Sequence, residues 1–399
     1  MLDFSEFSND PRVARAHLEE CLKEDVPPAR QASLRYALWE ACLVCGDENT
    51  ALDHLNIAIA IDPFVRSGEG RADPLRCLLV LAAPGNFQAN APIGMLLDQS
   101  TAVHTLWMTG DFSTNASLVR TMSSLTPAPD CLLVGIAEDP RSQQCLSQAE
   151  DFARRSGLSV INQPNRVEAV SRSEVSRFLS GLRNVVVPVC RILKEPFDSI
   201  VEYPVLIRPI SSHAGLNLRK LGCRSELDAY CRHADVSATF FVTDFFDSKN
   251  GDGLYRKYRV VFIDGEPFPV HLAVHDDWAV WYYNAHMEHY PDRRAEEARF
   301  MGDMASYFPT SVIVALREIA TRVGLDYFGL DFGLSLEGQV VIFEVETGMI
   351  VHDRDSSEIF PYKPAAIARI RQAFEVMIDR RKRIGRSNVV DSNVSINYK

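Results

Sequence analysis

Residues 329–347 read GLDFGLSLEGQVVIFEVET, two apolar runs that meet at the pair Glu337-Gly338. Each run has the composition of a β-strand, and an acidic residue followed by glycine suits a tight hairpin turn. If those two residues form the loop, Asp331 pairs directly with Glu344, and Glu346 lies on the same face of the sheet. The opposite face would then carry side chains that can pack on a core, namely Val341, Phe343 and Val345.

Three carboxylates, those of Asp331, Glu344 and Glu346, thus converge where apolar neighbours should exclude water. Like charges this close together cannot all ionise without a cation. Hard oxygen ligands select Mg²⁺ or Mn²⁺, and phosphate oxygens usually complete the coordination shell. The alternative is a surface hairpin with solvated acids, which the otherwise apolar stretch Val340–Val345 disfavours. The hairpin therefore predicts a metal site for a phosphate-containing ligand.

A basic strand and a small-residue loop lie upstream of the hairpin. The strand Val205–Pro209 contains Arg208, and the loop Ser211–Gly215, which includes Ser212 and His213, follows it. Small residues let backbone N–H groups approach a phosphate, and an arginine adds a forked donor. The alternatives are that Arg208 is an exposed strand end and that His213 makes only a loop hydrogen bond.

A second basic segment, Arg256-Lys-Tyr-Arg259, opens a predicted strand that turns at Asp264-Gly265. Alternation along a strand places Lys257 and Arg259 on one face. These cations could face a phosphate-containing ligand, or they could belong to an ordinary solvated face of the sheet.

The whole chain has 399 residues, of which 46% are hydrophobic and 24% charged, and these values predict a globular protein of two to four domains. A formal net charge of −11 disfavours nucleic-acid binding. Only Arg380–Arg386 is strongly basic, and it is either a solvated helix end or a docking patch.

The longest clean apolar run, Cys77–Pro84, is too short to span a bilayer, and the acidic start lacks the basic region of a secretory signal. Nine scattered cysteines favour reduced thiols over disulfides. We therefore expect a cytoplasmic protein with neither nucleic-acid nor membrane partners.

Residues 1–63 show apolar side chains at three- and four-residue spacing, which predicts helices. The run Ala51–Pro63 resembles the second helix of a tetratricopeptide repeat, and about one and a half repeats are visible. Because so few repeats make a poor solenoid, this helical cap should pack on the rest of the chain, form a homodimer or bind a protein partner. Its lone C-x-x-C, Cys42 and Cys45, fits core thiols better than a metal or redox site.

Changes in pattern divide the rest of the chain. Residues 64–74 read as a linker rich in glycine, arginine and aspartate. Alternating strands and helices over 75–183 predict a parallel α/β sheet, whose first strand precedes the loop Pro84–Ala91, either a substrate loop or a plain connection. Residues 184–383 form a mixed α+β region, and 384–399 form a flexible tail. The strands predicted in the mixed region are Val185–Val189, Val205–Pro209, Thr239–Phe245, Tyr258–Ile263 and Val270–Val274.

In their order along the chain, these segments resemble the ATP-grasp superfamily, especially its peptide-ligase-like members, over residues 75–380. The matching segments are the basic strand Val205–Pro209, the loop Ser211–Gly215, a hinge strand Phe241–Asp247, a Tyr-Arg-Val strand Tyr258–Val260 and the acidic hairpin. The resemblance implies an ATP-grasp fold: a parallel α/β domain and two α+β lobes that clamp ATP, here preceded by the tetratricopeptide-like cap. It also implies an ATP-dependent carboxylate–amine ligase that forms an acyl phosphate and releases ADP and phosphate.

The same resemblance implies a role for each site residue. ATP and Mg²⁺ or Mn²⁺ would be the cofactors, and small-molecule or peptide carboxylates and amines would be the substrates. The catalytic residues would be Arg208, His213 and Arg259. The ATP-binding residues would be Arg191, Arg208, Ser212, His213, Val242, Thr243, Asp244, Phe245 and Lys257, with residues 242–245 around the adenine. The metal ligands would be Asp331, Glu344 and Glu346.

Three departures from the family pattern leave other functions open, and the first is that Lys257 lies where many relatives carry an acid for the ribose. Glu344-Val-Glu346 stands where the family usually has Glu-x-Asn, and the small-residue loop has Ala214 and Asn217 where glycines are usual. The alternatives to a ligase are a non-catalytic nucleotide-binding scaffold, which recruits a partner through the helical cap, and a small-molecule kinase.

Two further segments could contact the acceptor of the acyl group. The aromatic stretch His271–Asn284 could line an acceptor pocket, or it could be a packed hairpin. His352, Asp353 and Asp355 follow the acidic hairpin and could contact substrate or form a structural loop.

Overall fold

The computed structural model describes residues 10–67, 74–194, 202–210, 217–233 and 239–394. Within these ranges the fold is mixed α/β and α+β with three β-sheets, as the sequence predicts. The helices are α1 Pro11–Cys21, α2 Pro28–Val44, α3 Glu48–Ile61, α4 Asn115–Met122, α5 Gln143–Ser156, α6 Pro164–Ala169, α7 Val175–Phe178, α8 Arg224–His233, α9 Pro291–Gly302, α10 Met304–Tyr307, α11 Thr310–Val323 and α12 Lys363–Val394. The strands are β1 Phe64–Ser67, β2 Arg76–Ala82, β3 Thr101–Trp107, β4 Cys131–Val134, β5 Val160–Ile161, β6 Val185–Val186, β7 Cys190–Leu193, β8 Val205–Pro209, β9 Arg219–Leu221, β10 Phe240–Asp244, β11 Tyr255–Ile263, β12 Glu266–His275, β13 Tyr327–Leu334 and β14 Val340–Glu346. None of the helices in the described ranges combines the length and the apolar character needed to cross a bilayer.

The N-terminal helices α1 to α3 form the predicted cap, and they pack on the first sheet. The rings of Tyr36 and Trp39 on α2 lie against Trp107 of β3, with centroids 6.1 Å and 5.3 Å away. Trp39 Nε1 also donates a hydrogen bond to the carbonyl of Gly85 at 3.1 Å. Of the expectations for the cap, packing on the rest of the chain is confirmed. All nine cysteines are free thiols, as predicted, and Cys42 is buried inside the cap.

The first sheet has the strand order β1-β3-β2-β4-β5. Strand β2 pairs in parallel with β3 and β4, and β4 pairs in parallel with β5, which confirms the predicted parallel sheet. Its central strands are buried almost throughout, because a parallel sheet is covered on both faces. Residues 64–67, which composition assigns to a linker, instead form β1, which pairs antiparallel with β3 at the edge.

The second sheet has the order β7-β10-β8-β9, and the third has the order β12-β11-β13-β14-β6. The chain passes between these two sheets within the predicted strand Val185–Val189. There β6 pairs in parallel with β14 of the third sheet, whereas β7 pairs with β10 of the second. Only Val185–Val186 of the predicted strand belong to a sheet, and residues 187–189 connect β6 to β7, so the predicted strand is too long.

The C-terminal helix α12 runs to the last described residue, so residues 384–394 of the segment predicted as a flexible tail belong to this helix. Basic residues near the middle of α12 bind neighbouring acids of the same chain. Arg381 donates to Asp326, and Lys382 Nζ lies 3.0 Å from Asp130. These contacts hold the helix against the ends of the first and third sheets.

Asn162, just after β5, joins the first sheet to the third. It is buried with a left-handed φ of 61°. Its Nδ2 donates to the carbonyl of Tyr327 at 2.7 Å, and its Oδ1 accepts from the Tyr327 N–H at 2.9 Å.

We expect Asn162→Ala to lower the free energy of unfolding by about 2–4 kcal/mol, because two buried backbone groups lose their partners. Urea denaturation measures this, with Asn165→Ala on the exposed face of α6 as the matched control, expected to change by less than about 0.5 kcal/mol. Equal losses in the two variants would contradict this role of Asn162.

Candidate active site

A cavity of about 770 Å³ lies between the second and the third sheet. Its walls come from β8 and β10 on one side and from β11, β12 and β14 on the other. Residues of connecting segments also line it, among them Glu138 after β4 and Arg172 after α6. Ser212 and His213, predicted to contact phosphate, lie outside the described residues. A cavity of this size can enclose most of a small organic ligand.

The hairpin of β13 and β14 forms one wall of this cavity. Asp331 pairs with Glu344, and Gly329 pairs with Glu346, which confirms the pairing predicted from the sequence. Since side chains alternate along a strand, Glu344 and Glu346 share a face, and both line the cavity.

The turn of this hairpin differs from the prediction. Five residues, 335–339, connect the strands instead of two. A bulge at Phe343 shifts the register by one residue, so that Asp331 still pairs with Glu344. Phe343, predicted to pack on a core, is 37% exposed and lines the cavity. Val341 is buried, and Val345 packs against the core, as predicted. The bulge therefore adds an aromatic side chain to the site.

Asp331 is the most enclosed charge of the hairpin, with 1% of its surface exposed. Arg259 donates to both of its oxygens, at 2.7 Å and 2.8 Å, and Lys257 Nζ lies 2.6 Å from Oδ2. Burial by itself would raise the pKa of Asp331, but the two cations hold that pKa well below its ordinary range. Asp331 is thus neutralised by protein cations rather than placed as the predicted metal ligand, and Arg259 and Lys257 are engaged with it.

Glu344 and Glu346 face the cavity beside Arg172, whose guanidinium donates to Glu344. Glu346 accepts a hydrogen bond from the Gly348 N–H at 2.8 Å. Burial, and then the charge of Glu344, raise the pKa of Glu346 to about 7. Sequence reasoning missed Arg172 because it lies in a polar connection that has no periodic pattern.

Glu138 adds a third carboxylate to this group. Burial, followed by the charge of Asp139 and more weakly by Glu346 and Glu344, raises the pKa of Glu138 to about 7. Its backbone N–H donates to Thr347 Oγ1 at 2.7 Å, which ties the first sheet to the end of β14. Glu138 lies beyond the carboxyl end of a parallel strand, where α/β sheets commonly bind ligands, and this signal in the sequence could have identified it.

The structure separates the two arginines that were predicted to bind phosphate. Arg208 lines the cavity, and burial, followed by the charge of Arg172, lowers its pKa to about 10. Arg191 is exposed on β7 and donates to Asp244 at 2.5 Å. Arg172 therefore takes the place beside Arg208 that was predicted for Arg191.

Alternation along β10 also divides the residues that were predicted to contact adenine. Within the strand Thr243 lines the cavity, and Asp244 and Phe245 line it where the strand ends. The Val242 side chain is buried in the core of the second sheet and does not line the cavity. Inside the strand, neighbouring side chains point to opposite faces.

Another part of the cavity wall is aromatic, as the predicted acceptor pocket would be, and one of its rings, that of Trp278, lies 5.9 Å from the ring of Phe245. Trp278, Trp281 and Tyr283 follow β12 and line it, and the last two are exposed. The imidazole of His271 lies 4.6 Å from the ring of Tyr282, and its buried Nδ1 has no hydrogen-bond partner among the described residues. Burial, and then a neighbouring arginine, hold the pKa of His271 well below its ordinary value, so this imidazole is neutral at neutral pH.

Lys363, the first residue of α12, is buried next to the aromatic end. Its Nζ lies 2.6 Å from Asp355 and 3.4 Å from Glu297, which provides the counter-charge that a buried lysine requires. Of the three downstream residues considered as substrate contacts, His352 and Asp355 line the cavity. Asp353 instead pairs with an arginine of α12 at 2.8 Å.

These donors fit one divalent cation at Glu344 and Glu346. The two carboxylates are close and largely enclosed, and their repulsion, with burial, raises the pKa of Glu346, which a hard cation would relieve. Asp331 does not fit as a third ligand, because Arg259 and Lys257 engage both of its oxygens.

No protein-family model and no curated protein matches this chain. Among solved structures, the VanG D-Ala:D-Ser ligase from Enterococcus faecalis is 11% identical, with a TM-score of 0.45 over 76% of this chain and 99% of that one. The D-alanine–D-alanine ligase from Bacillus anthracis is 10% identical, with a TM-score of 0.46 over 78% and 99%. The L-amino acid ligase from Bacillus licheniformis is 12% identical, with a TM-score of 0.39 over 72% and 70%. Likeness at this level assigns no residue role, so the roles of the site residues depend on the contacts described above.

Asp331→Asn tests the buried ion-pair cluster. The change leaves Arg259 and Lys257 without their counter-charge, so we expect the free energy of unfolding to fall by about 3 kcal/mol. Asp353→Asn, which breaks a partly exposed pair with Arg371, is the matched control, and its expected loss is below about 1 kcal/mol. Urea denaturation of both variants at neutral pH measures the difference, and a similar small loss in both would contradict the argument from burial.

Proposed function

We propose that this chain is an ATP-dependent ligase of the ATP-grasp type, which joins a carboxylate to an amine. The observation that most supports the proposal is the meeting of Arg172 and Arg208 with Glu344 and Glu346 at one end of the cavity. Arginines bind phosphate, and paired carboxylates can hold the divalent ion that accompanies a triphosphate. The order of segments along the chain, which resembles that of ATP-grasp proteins, agrees with this assignment.

Residues at the end of β10 suit the base of a nucleotide. Thr243, Asp244 and Phe245 line the same cavity as the arginines, and the Lys220 ammonium lies 3.5 Å from the centre of the Phe245 ring. An apolar surface beside a few polar groups is the usual composition of a site for a heterocyclic ligand. Adenine would bind here with its triphosphate directed towards Arg208.

Charge determines the proposed chemistry. When bound, Mg²⁺ or Mn²⁺ would reduce the charge of the triphosphate and polarise its phosphoryl group. Arg172 and Arg208 would orient the phosphates and stabilise the charge of the transferring group, so catalysis is mainly positioning and electrostatics. The substrate carboxylate attacks the γ-phosphorus, the bond to ADP breaks, and an acyl phosphate forms. The amine then attacks the acyl carbon, phosphate leaves with the electron pair of the C–O bond, and the amine loses a proton.

The aromatic end of the cavity supports an acceptor with a large apolar or aromatic side chain. Trp281 and Tyr283 offer such a side chain flat apolar surfaces, whereas Trp278 lies against the ring of Phe245. In the tautomer that carries its proton on Nε2, His271 would accept a hydrogen bond at Nδ1 from an amine N–H.

Release of ADP tests the reaction. With ATP, Mg²⁺ and a panel of carboxylate and amine pairs, we expect ADP release that depends on both substrates and yields an amide. The double variant Glu344→Gln, Glu346→Gln should reduce the rate at least about a hundredfold, because the divalent ion loses its ligands. Glu337→Gln, in the exposed turn of the same hairpin, is the matched control and should leave the rate unchanged.

Other outcomes identify the alternative functions. Tight ATP binding without ADP release from any pair would contradict a ligase and favour a nucleotide-binding scaffold. A stable phosphorylated product without an amide would favour a small-molecule kinase.

Substitution of the aromatic residues tests the acceptor class. We expect Trp281→Ala and Tyr283→Ala each to raise the KM for aromatic acceptors about tenfold, equivalent to about 1.4 kcal/mol of lost contact, while the KM for ATP stays the same. Phe112→Ala, an exposed aromatic residue beside the first sheet, is the control. An unchanged KM for every acceptor would place the acceptor elsewhere without affecting the ligase assignment.

A further inference from the structure

A short turn carries a cluster of metal-ligating side chains outside the cavity. Residues 286–289 read His-Met-Glu-His and connect the aromatic end of the cavity to α9. His286, Glu288 and His289 are 62%, 41% and 72% exposed at their side chains. Among the residues that the structure describes, this is the one trio of His, Cys, Asp or Glu whose ligand atoms all lie within 4.8 Å of one another.

The distances match those of a bound transition-metal ion. His286 Nδ1 lies 3.5 Å from Glu288 Oε1, and His289 Nε2 lies 3.6 Å from the same oxygen. Metal–ligand bonds of about 2.0–2.2 Å in tetrahedral geometry place two ligand atoms about 3.4 Å apart. Each histidine is thus already at nearly this distance from Glu288, and the two imidazole nitrogens, which lie within 4.8 Å of each other, would need to approach by at most about 1.4 Å.

The backbone of the turn is held by neighbouring residues. Met287 is fully buried and anchors the turn in the core. Arg294 Nη1 donates to the carbonyls of Met287 and Glu288, at 2.9 Å and 2.5 Å. The His289 N–H donates to the His286 carbonyl at 2.9 Å, which closes the turn. The three ligands are thus presented by a backbone that is already ordered, which reduces the entropy lost when an ion binds.

We propose that His286, Glu288 and His289 bind one divalent transition-metal ion of the zinc type, with water at the remaining coordination position. Two imidazoles and one carboxylate favour Zn²⁺ and its late first-row neighbours, whereas Mg²⁺ prefers oxygen ligands alone. This site uses none of the residues assigned to ATP or to its metal, so it does not depend on the proposed function.

Calorimetric titration of the full-length chain with ZnCl₂ tests the proposal. The protein is first stripped with a chelator and then kept in excess MgCl₂, which occupies sites made of oxygen ligands only. All titrations use the Cys223→Ser background, because Cys223 is an exposed thiol that could itself bind zinc. We expect one equivalent of Zn²⁺ to bind, and His289→Ala to weaken binding at least about tenfold. Glu288→Gln should also weaken it.

Asp292→Asn is the matched control, since it removes an exposed acid at the start of α9, with the same change in charge as Glu288→Gln. Binding should be unchanged in this variant. Circular dichroism checks that each variant keeps its fold, which is expected because the substituted side chains are exposed. No saturable binding of Zn²⁺, equal binding by His289→Ala, or equal weakening by Asp292→Asn would overturn the proposal.

Discussion

Asp331 is a carboxylate buried between Arg259 and Lys257 in the third sheet, and the other charges of the cavity are arranged around this cluster. Removing a carboxylate from water costs several kcal/mol, which is offset only while both cations stay in place. Both cations come from β11, the strand that pairs with β13. A slip of one residue would turn them to the opposite, apolar face, so the buried cluster and the core together hold the register of the two strands.

Three carboxylates and two arginines that line the cavity lie outside this cluster. With Arg259 and Lys257 engaged, Glu138, Glu344 and Glu346 face the arginines Arg172 and Arg208. Burial, and then neighbouring carboxylates, raise the pKa values of Glu138 and Glu346. A ligand that carries a divalent cation and phosphate groups supplies positive charge to the carboxylates and negative charge to the arginines. This is the physical basis of the proposed triphosphate site.

Features that depend on residues close together in the sequence could be predicted, whereas features that depend on distant residues could not. The pairing of Asp331 with Glu344 could be predicted, because a hairpin is local and its alternation is visible in the sequence. The position of Phe343 could not, because a two-residue turn and a five-residue turn with a bulge are both compatible with the same residues. The direction of the Val242 side chain could not be predicted, because the side of β10 that faces the cavity depends on which element packs behind the strand, here α8.

The sequence by itself determined the classes of structure and the identities of the acids and bases: a helical cap, a parallel sheet, a mixed region and an acidic hairpin. Those features depend on periodicity and composition, which are properties of neighbouring residues. Only the tertiary structure decided which charges meet. Glu138, Arg172, Arg208 and Glu344 come from four separate segments, and burial together with Coulomb attraction over a few ångströms selects their partners after the sheets have packed.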